Sequence, residues 1–86
     1  MADTQKIGRV THYFGKIQVA VIELTDGELK VGDRIKISGE NTEVEQTVDS
    51  MEVDKEPVET AKEGDSFGLK VADKVREGDE VHLVTE

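Results

Sequence analysis

Cysteine is absent from the 86 residues, which excludes a disulfide framework, thiol catalysis and thiolate metal sites together. There is one proline, no tryptophan, and only three aromatic side chains, Tyr13, Phe14 and Phe67, too few to build a sugar-binding platform. No apolar run approaches the roughly 20 residues of a membrane span. The opening Met1-Ala2-Asp3-Thr4 has no charged-then-apolar signal, so the expectation is a cytoplasmic protein without membrane contact. Basic residues are also scarce, 11 against 20 acidic ones, for a formal net charge of −9. Such a chain repels polyphosphates and anionic membranes at long range, whereas a simple nucleic-acid binder would be basic. The length suits one small domain. A chain this short buries only somewhat more than ~60% of its unfolded surface, leaving little space for an enclosed active site.

The charge that is present is uneven. Residues 1–36 carry six cations (Lys6, Arg9, Lys16, Lys30, Arg34, Lys36) and five carboxylates, while residues 37–86 carry five cations and fifteen carboxylates. An anionic partner would therefore meet the first third. No Ser/Gly-rich or proline-rich stretch interrupts the chain, so the asymmetry belongs to two faces of one domain.

Apolar residues recur mostly with period two, the pattern of half-buried strands. Residues 6–14 and 17–24 form two such runs, separated by Gly15-Lys16, which predicts a tight hairpin. Asp26-Gly27 marks a turn. In Arg34-Ile35-Lys36-Ile37 both isoleucines fall on one face and both cations on the other. Val44 and Val48 are out of phase with Met51 and Val53, so one regular strand cannot bury all four, and a β-bulge near Asp49-Ser50 is predicted. Residues 55–65, with Pro57, read as a loop, with at most a turn or two of helix over 56–63 as the rival. Residues 66–71 turn Phe67, Leu69 and Val71 inward, and 80–84 do the same with Val81 and Leu83.

Gly-Asp occurs three times, at Gly32-Asp33, Gly64-Asp65 and Gly78-Asp79, each time just before an alternating run. Glycine permits positive φ and aspartate can accept from backbone amides, so three strands share one kind of opening turn. Many short strands, glycine turns and almost no helix favour a small barrel over a sandwich, because closure removes unprotected edges.

Catalytic constellations are missing. A phosphate-binding loop needs a lysine followed by serine or threonine after a spaced glycine pair, and Gly15-Lys16 is followed by Ile17. No nucleotide site, cofactor site or metal site is expected: His12 and His82 are 70 positions apart, and His82, between Val81 and Leu83, should face solvent. Acidic pairs such as Glu43/Glu45 and Glu52/Asp54 lie roughly 6.5–7 Å apart on a strand face, within the range of an inverting glycosidase. They lack an apolar pocket to raise one pKa, and a solvated acidic face is the plainer reading. The Gly-Asp turns lack the alternating acidic spacing of a calcium loop.

What remains is a surface of Arg9, His12, Tyr13, Phe14 and Lys16 at the first hairpin, with Arg34 and Lys36 on the strand that follows the first Gly-Asp turn. Cations beside aromatics are what single-stranded RNA sites use, for phosphate contact and stacking. The alternative is that Phe14 packs in the core and the cations merely solvate the barrel.

Read together, Ile7-Gly8-Arg9-Val10, the segment Gly27-Glu28-Leu29-Lys30-Val31-Gly32-Asp33-Arg34-Ile35-Lys36-Ile37, Val48-Asp49-Ser50-Met51-Glu52-Val53, Lys55-Glu56-Pro57-Val58-Glu59-Thr60-Ala61, Gly64-Asp65-Ser66-Phe67-Gly68-Leu69 and Glu77-Gly78-Asp79 resemble the second domain of elongation factor Tu and other translational GTPases. The resemblance runs from about residue 7 to 84. It extends to small translation elongation factor-like proteins and to the C-terminal barrel of collagenase-like peptidase relatives, some of which act on transfer RNA. It implies a β-barrel of the translation-factor type. GTP hydrolysis is not carried over, because the phosphate-binding loop is missing, and no family RNA-contact residue is transferred.

The expected fold is therefore all-β, a six- to seven-stranded Greek-key-like barrel over residues 1–86. The expected function is a non-enzymatic binding module docking on a ribosome- or tRNA-related component or an RNA-modifying protein, through Arg9, His12, Tyr13, Lys16, Arg34 and Lys36. The alternative is a protein–protein adaptor that presents its acidic half, residues 40–65, to a basic protein.

Overall fold

Alternation produces a strand wherever it persists for three residues or more. The computed structural model describes residues 3–40, 42–53 and 56–85, and within them ten strands and no helix. They are β1 (Asp3–Phe14), β2 (Val19–Leu24), β3 (Glu28–Lys30), β4 (Arg34–Ser38), β5 (Glu43–Thr47), β6 (Met51–Val53), β7 (Glu56–Val58), β8 (Thr60–Lys62), β9 (Ser66–Lys70) and β10 (Glu80–Thr85). The fold is the expected all-β barrel. Its strands outnumber the six or seven expected because four of them are only three residues long, β3, β6, β7 and β8.

Eight strands form one antiparallel sheet in the order β5-β4-β10-β1-β2-β9-β6-β7, and β3 pairs with β8. β10 inserts between β1 and β4, and β9 between β2 and β6, which gives the Greek-key character. Both sheets feed a single core: Ile22, Ile35, Ile37 and Val81 from the large sheet and Leu29 and Ala61 from the small pair are all fully buried, and Phe67 is the largest side chain there. At the barrel seam the side-chain amide of Gln46 on β5 replaces a ladder. Its Nε2 donates to the Lys70 carbonyl (3.0 Å) and its Oε1 accepts from the Ala72 amide (2.7 Å).

The three Gly-Asp turns are one device used three times. In Lys30–Asp33, Lys62–Asp65 and Arg76–Asp79 the aspartate amide donates to the carbonyl three residues back, while its Oδ2 accepts from that same residue's amide at 2.9, 3.0 and 2.8 Å. Gly32, Gly64 and Gly78 have φ of 101°, 91° and 91°, the type II pattern that glycine satisfies without strain. Each turn then clasps one buried residue of a distant strand or loop by both backbone groups. The glycine amide donates to the carbonyl of Val48, Leu24 or Val10, and the amide of that residue donates to the aspartate carbonyl, at 2.8 to 2.9 Å. β4, β9 and β10 begin at the next residue.

Four local expectations are corrected. The first hairpin loop is residues 15–18 rather than Gly15-Lys16 alone: Gln18 adopts φ 54°, a left-handed conformation that ends the loop, so Ile17 stays outside β2. No bulge forms at Asp49-Ser50. The chain breaks there, leaves β4 and joins β9 and β7, and that change of partner resets the phase so that Val44, Val48 and Met51 are all buried. Within the expected loop, residues 56–58 and 60–62 are strands β7 and β8 with no helix, while 63–65 do form a turn, and Pro57, which has no amide to donate, sits on the margin of the sheet. Phe14 is not in the core. Bulges in β1 between Lys6 and Gly8 and between Val10 and His12 bring Ile7, Val10 and Tyr13 to the inner face, three apart, and turn His12 and Phe14 outward. Asp54, paired with Glu52 in the sequence, lies outside the described residues.

Candidate binding surface

The six nominated residues fall into two groups, because β10 lies between β1 and β4. Arg34 and Lys36 on β4 share the outer face with β10 and β1, in a row Lys36–His82–Lys6, while Arg9 stands beside Glu80 on the same face. His82 is outward in this row but only 22% exposed, less open than expected. His12 and Lys16 lie at the far end of β1, at the hairpin. Tyr13 turns inward and packs against the core.

The cations of both groups face carboxylates. Arg9 Nη2 is 3.2 Å from Glu23 Oε1, Arg34 Nε 2.6 Å from Glu45 Oε2, Lys36 Nζ 3.3 Å from Glu43 Oε1 and Lys6 Nζ 3.5 Å from Glu80 Oε2. His12 Nδ1 lies 3.0 Å from Glu77 Oε2, an ion pair when the ring is protonated. Pairs exposed to this degree add roughly 0–1 kcal/mol each to stability. Their larger effect is on the field: a phosphate approaching this face meets charges already neutralised. Lys16 is the exception, with no carboxylate within ion-pair distance among the described residues.

The acidic half behaves differently. Glu43 and Glu45 are engaged by β4, but Glu40, Asp49, Glu52, Glu56, Glu59 and Glu63 are exposed and have no ion pair among the described residues. This half of the barrel carries most of the protein's unbalanced negative charge.

Sequence reasoning missed an apolar patch. Phe14 is 46% exposed and Ile17 61%, and with the half-exposed Val19 and Val21 they line a shallow groove that reaches Ser66, Gly68 and Glu52. The His12 ring meets Phe14 edge-on, centroids 4.4 Å apart. The signal was the three-residue spacing of Ile7, Val10 and Tyr13, which requires phase shifts within β1 and so puts Phe14 outside. Asp79 is the one buried carboxylate among the described residues and its Oδ2 is committed to the Arg76 amide. No cluster of three metal-ligating side chains occurs among them.

Residues 18–78 match the family described as Elongation factor Tu domain 2. The chain belongs to that family. It is 46% identical over 82 residues to an uncharacterized protease of Methanocaldococcus jannaschii, 94% of this chain and 20% of the relative. It is 37% identical over 84 residues to a collagenase of Porphyromonas gingivalis, again 94% of this chain and 20% of the relative. The chain thus spans about a fifth of the length of the curated relatives it matches. Among solved structures, the C-terminal domain of a Geobacillus thermoleovorans protein described as a U32 peptidase superposes with a TM-score of 0.85 at 13% identity, covering 92% of this chain and 91% of that one. The fold is therefore that of the C-terminal barrel of U32-type proteins, in agreement with the resemblance read from the motifs.

Proposed function

We propose that the chain is a non-enzymatic docking module that seats its acidic half, residues 40–65, on a basic protein surface of a translation-related assembly. The observation that carries this is the pairing of charge. Arg9, Arg34 and Lys36 lie against Glu23, Glu45 and Glu43, whereas Glu56, Glu59 and Glu63 face solvent without a cation among the described residues. Membership of the elongation factor Tu domain 2 family supports the translation setting.

A second reading has one observation behind it. Lys16, without an ion pair among the described residues and close in sequence to the exposed Phe14, offers a cation and an aromatic face to a nucleotide.

Co-sedimentation with ribosomes and with free transfer RNA across a salt series separates the two. Docking on protein predicts binding to ribosomes but not to free transfer RNA, abolished by Glu56→Gln/Glu59→Gln/Glu63→Gln and kept by Arg34→Glu/Lys36→Glu. Binding to free transfer RNA with a steep salt slope, lost on Lys16→Glu, would favour the second reading. No binding to either at low salt overturns the translation setting.

A further inference from the structure

The outer face of β1–β2–β9–β6 holds a glycine, Gly68, at which a side chain would meet no clash. Gly68 lies within β9 without positive φ, and a methyl group there would sit 3.4 Å from Val19 Cγ1 and 3.9 Å from the Glu52 carbonyl, ordinary contact distances. Glycine in a strand interior weakens the strand and often marks a bulge, a tight bend or the close approach of another surface, and the β2–β9 register shows no bulge at Gly68. The bare spot lies beside Val21 and lines the same groove as Phe14 and Ile17.

We propose that the occupant is a second copy of this chain, packed face to face about a two-fold axis that runs along the strands between β2 and β9. The register decides this. One row across the face reads His12–Val21–Gly68–Glu52. A two-fold axis in the interface plane, parallel to the strands, reverses that order in the opposing copy. Val21 then enters the hollow over Gly68 of the second copy, and His12 faces Glu52, each contact occurring twice. In the row on one side, Phe14–Val19–Lys70, Val19 meets the aliphatic stem of Lys70. In the row on the other side, Arg9–Glu23–Ser66, Glu23 meets a hydroxyl. None of these contacts sets like charges together. An axis across the strands does the opposite, setting Glu52 on Glu52 and His12 on His12.

The face is small, about 14 Å wide from three strand spacings and about 14 Å long from the strand rise. It covers about 200 Å² per copy, below the range of stable specific interfaces, so the self-association is transient, with Kd of about 1 mM. Glu52 also belongs to the acidic half of the docking reading, but Glu56, Glu59 and Glu63, whose neutralisation tests that reading, lie outside the four strands of this face, so failure of the dimer and failure of the docking reading are distinguishable.

Sedimentation velocity over a concentration series to about 1 mM tests the dimer, with thermal unfolding to verify that each variant is folded. The wild-type chain should self-associate. His12→Glu should stay monomeric, because the introduced carboxylate would meet Glu52 twice, and Gly68→Val should stay monomeric because the hollow is filled. An equimolar mixture of His12→Glu and Glu52→Lys should form a heterodimer, since every charged contact is then between opposite signs. A wild-type chain that remains monomeric throughout overturns the proposal. So does Gly68→Val associating as tightly as wild type, or a charge-swap mixture that stays monomeric.

Discussion

Asp79 and Gly39 provide a sharp test of the clasp architecture. The Asp79 side chain is 6% exposed, its Oδ2 accepts from the Arg76 amide at 2.8 Å, and its Oδ1 lies so close over Gly39 that a Cβ there would fall on the carboxylate. Asp33 and Asp65 make the same bond in more open turns, at 2.9 and 3.0 Å. Replacing any of the three by alanine removes one charge-assisted bond to an amide. In the open turns water can take over, and the cost should be about 0.5–1 kcal/mol; at Asp79 the amide is left partly desolvated, and the cost should be about 2 kcal/mol. For a domain of this size that lowers Tm by about 8–16 °C. Gly39→Ala should cost a similar amount by displacing the carboxylate, since Gly39 has no positive φ and only the overlap opposes a side chain. The two effects must therefore share an origin. In an Asp79→Ala background, Gly39→Ala should be almost free, giving a coupling of about 1–2 kcal/mol in a double-mutant cycle. Urea unfolding with an unchanged m-value is the assay. Strict additivity, or an Asp79→Ala variant no less stable than Asp65→Ala, would refute the reasoning.

Three more outcomes follow from the same contacts. Gln46→Glu keeps the acceptor for the Ala72 amide but loses the donor to the Lys70 carbonyl, so it should cost about 1 kcal/mol and Gln46→Leu about 2, with faster hydrogen exchange at the Ala72 amide in the leucine variant alone. Phe67→Ala empties the largest buried position and should cost about 3–5 kcal/mol, read by urea unfolding; a loss below about 1 kcal/mol would contradict its central place. Arg34→Ala breaks a half-exposed pair with Glu45 and should change stability by less than about 1 kcal/mol, measured as a near-constant urea midpoint.

Much of the barrel was legible because its signals are local. The alternation of Ile35 and Ile37 with Arg34 and Lys36, and of Phe67, Leu69 and Val71, placed these strands and their inner faces correctly, since side chains alternate across any strand whatever it pairs with. The candidate surface was less legible. Phe14 was weighed as a core residue because aromatics within a strand are usually structural, whereas two bulges in β1 turn it outward. The cations were visible as cations, but Arg34 and Glu45 are 11 positions apart and His12 and Glu77 are 65 apart, so their neutralisation could not be seen along the chain.

The sequence by itself determined the all-β class and the three Gly-Asp turns, because backbone conformation at a glycine and amide capture by a neighbouring aspartate involve only three or four consecutive residues. Tertiary structure alone decided what those turns hold. Val48, Leu24 and Val10 become their partners only when segments far apart in the chain are brought into register. The same non-local pairing set Gly68 between Val21 and Glu52, gave most of the first-third cations carboxylate partners, and left an apolar face and an acidic face open. Which strands lie side by side is settled by the packing of one shared core, and no short stretch of residues encodes it.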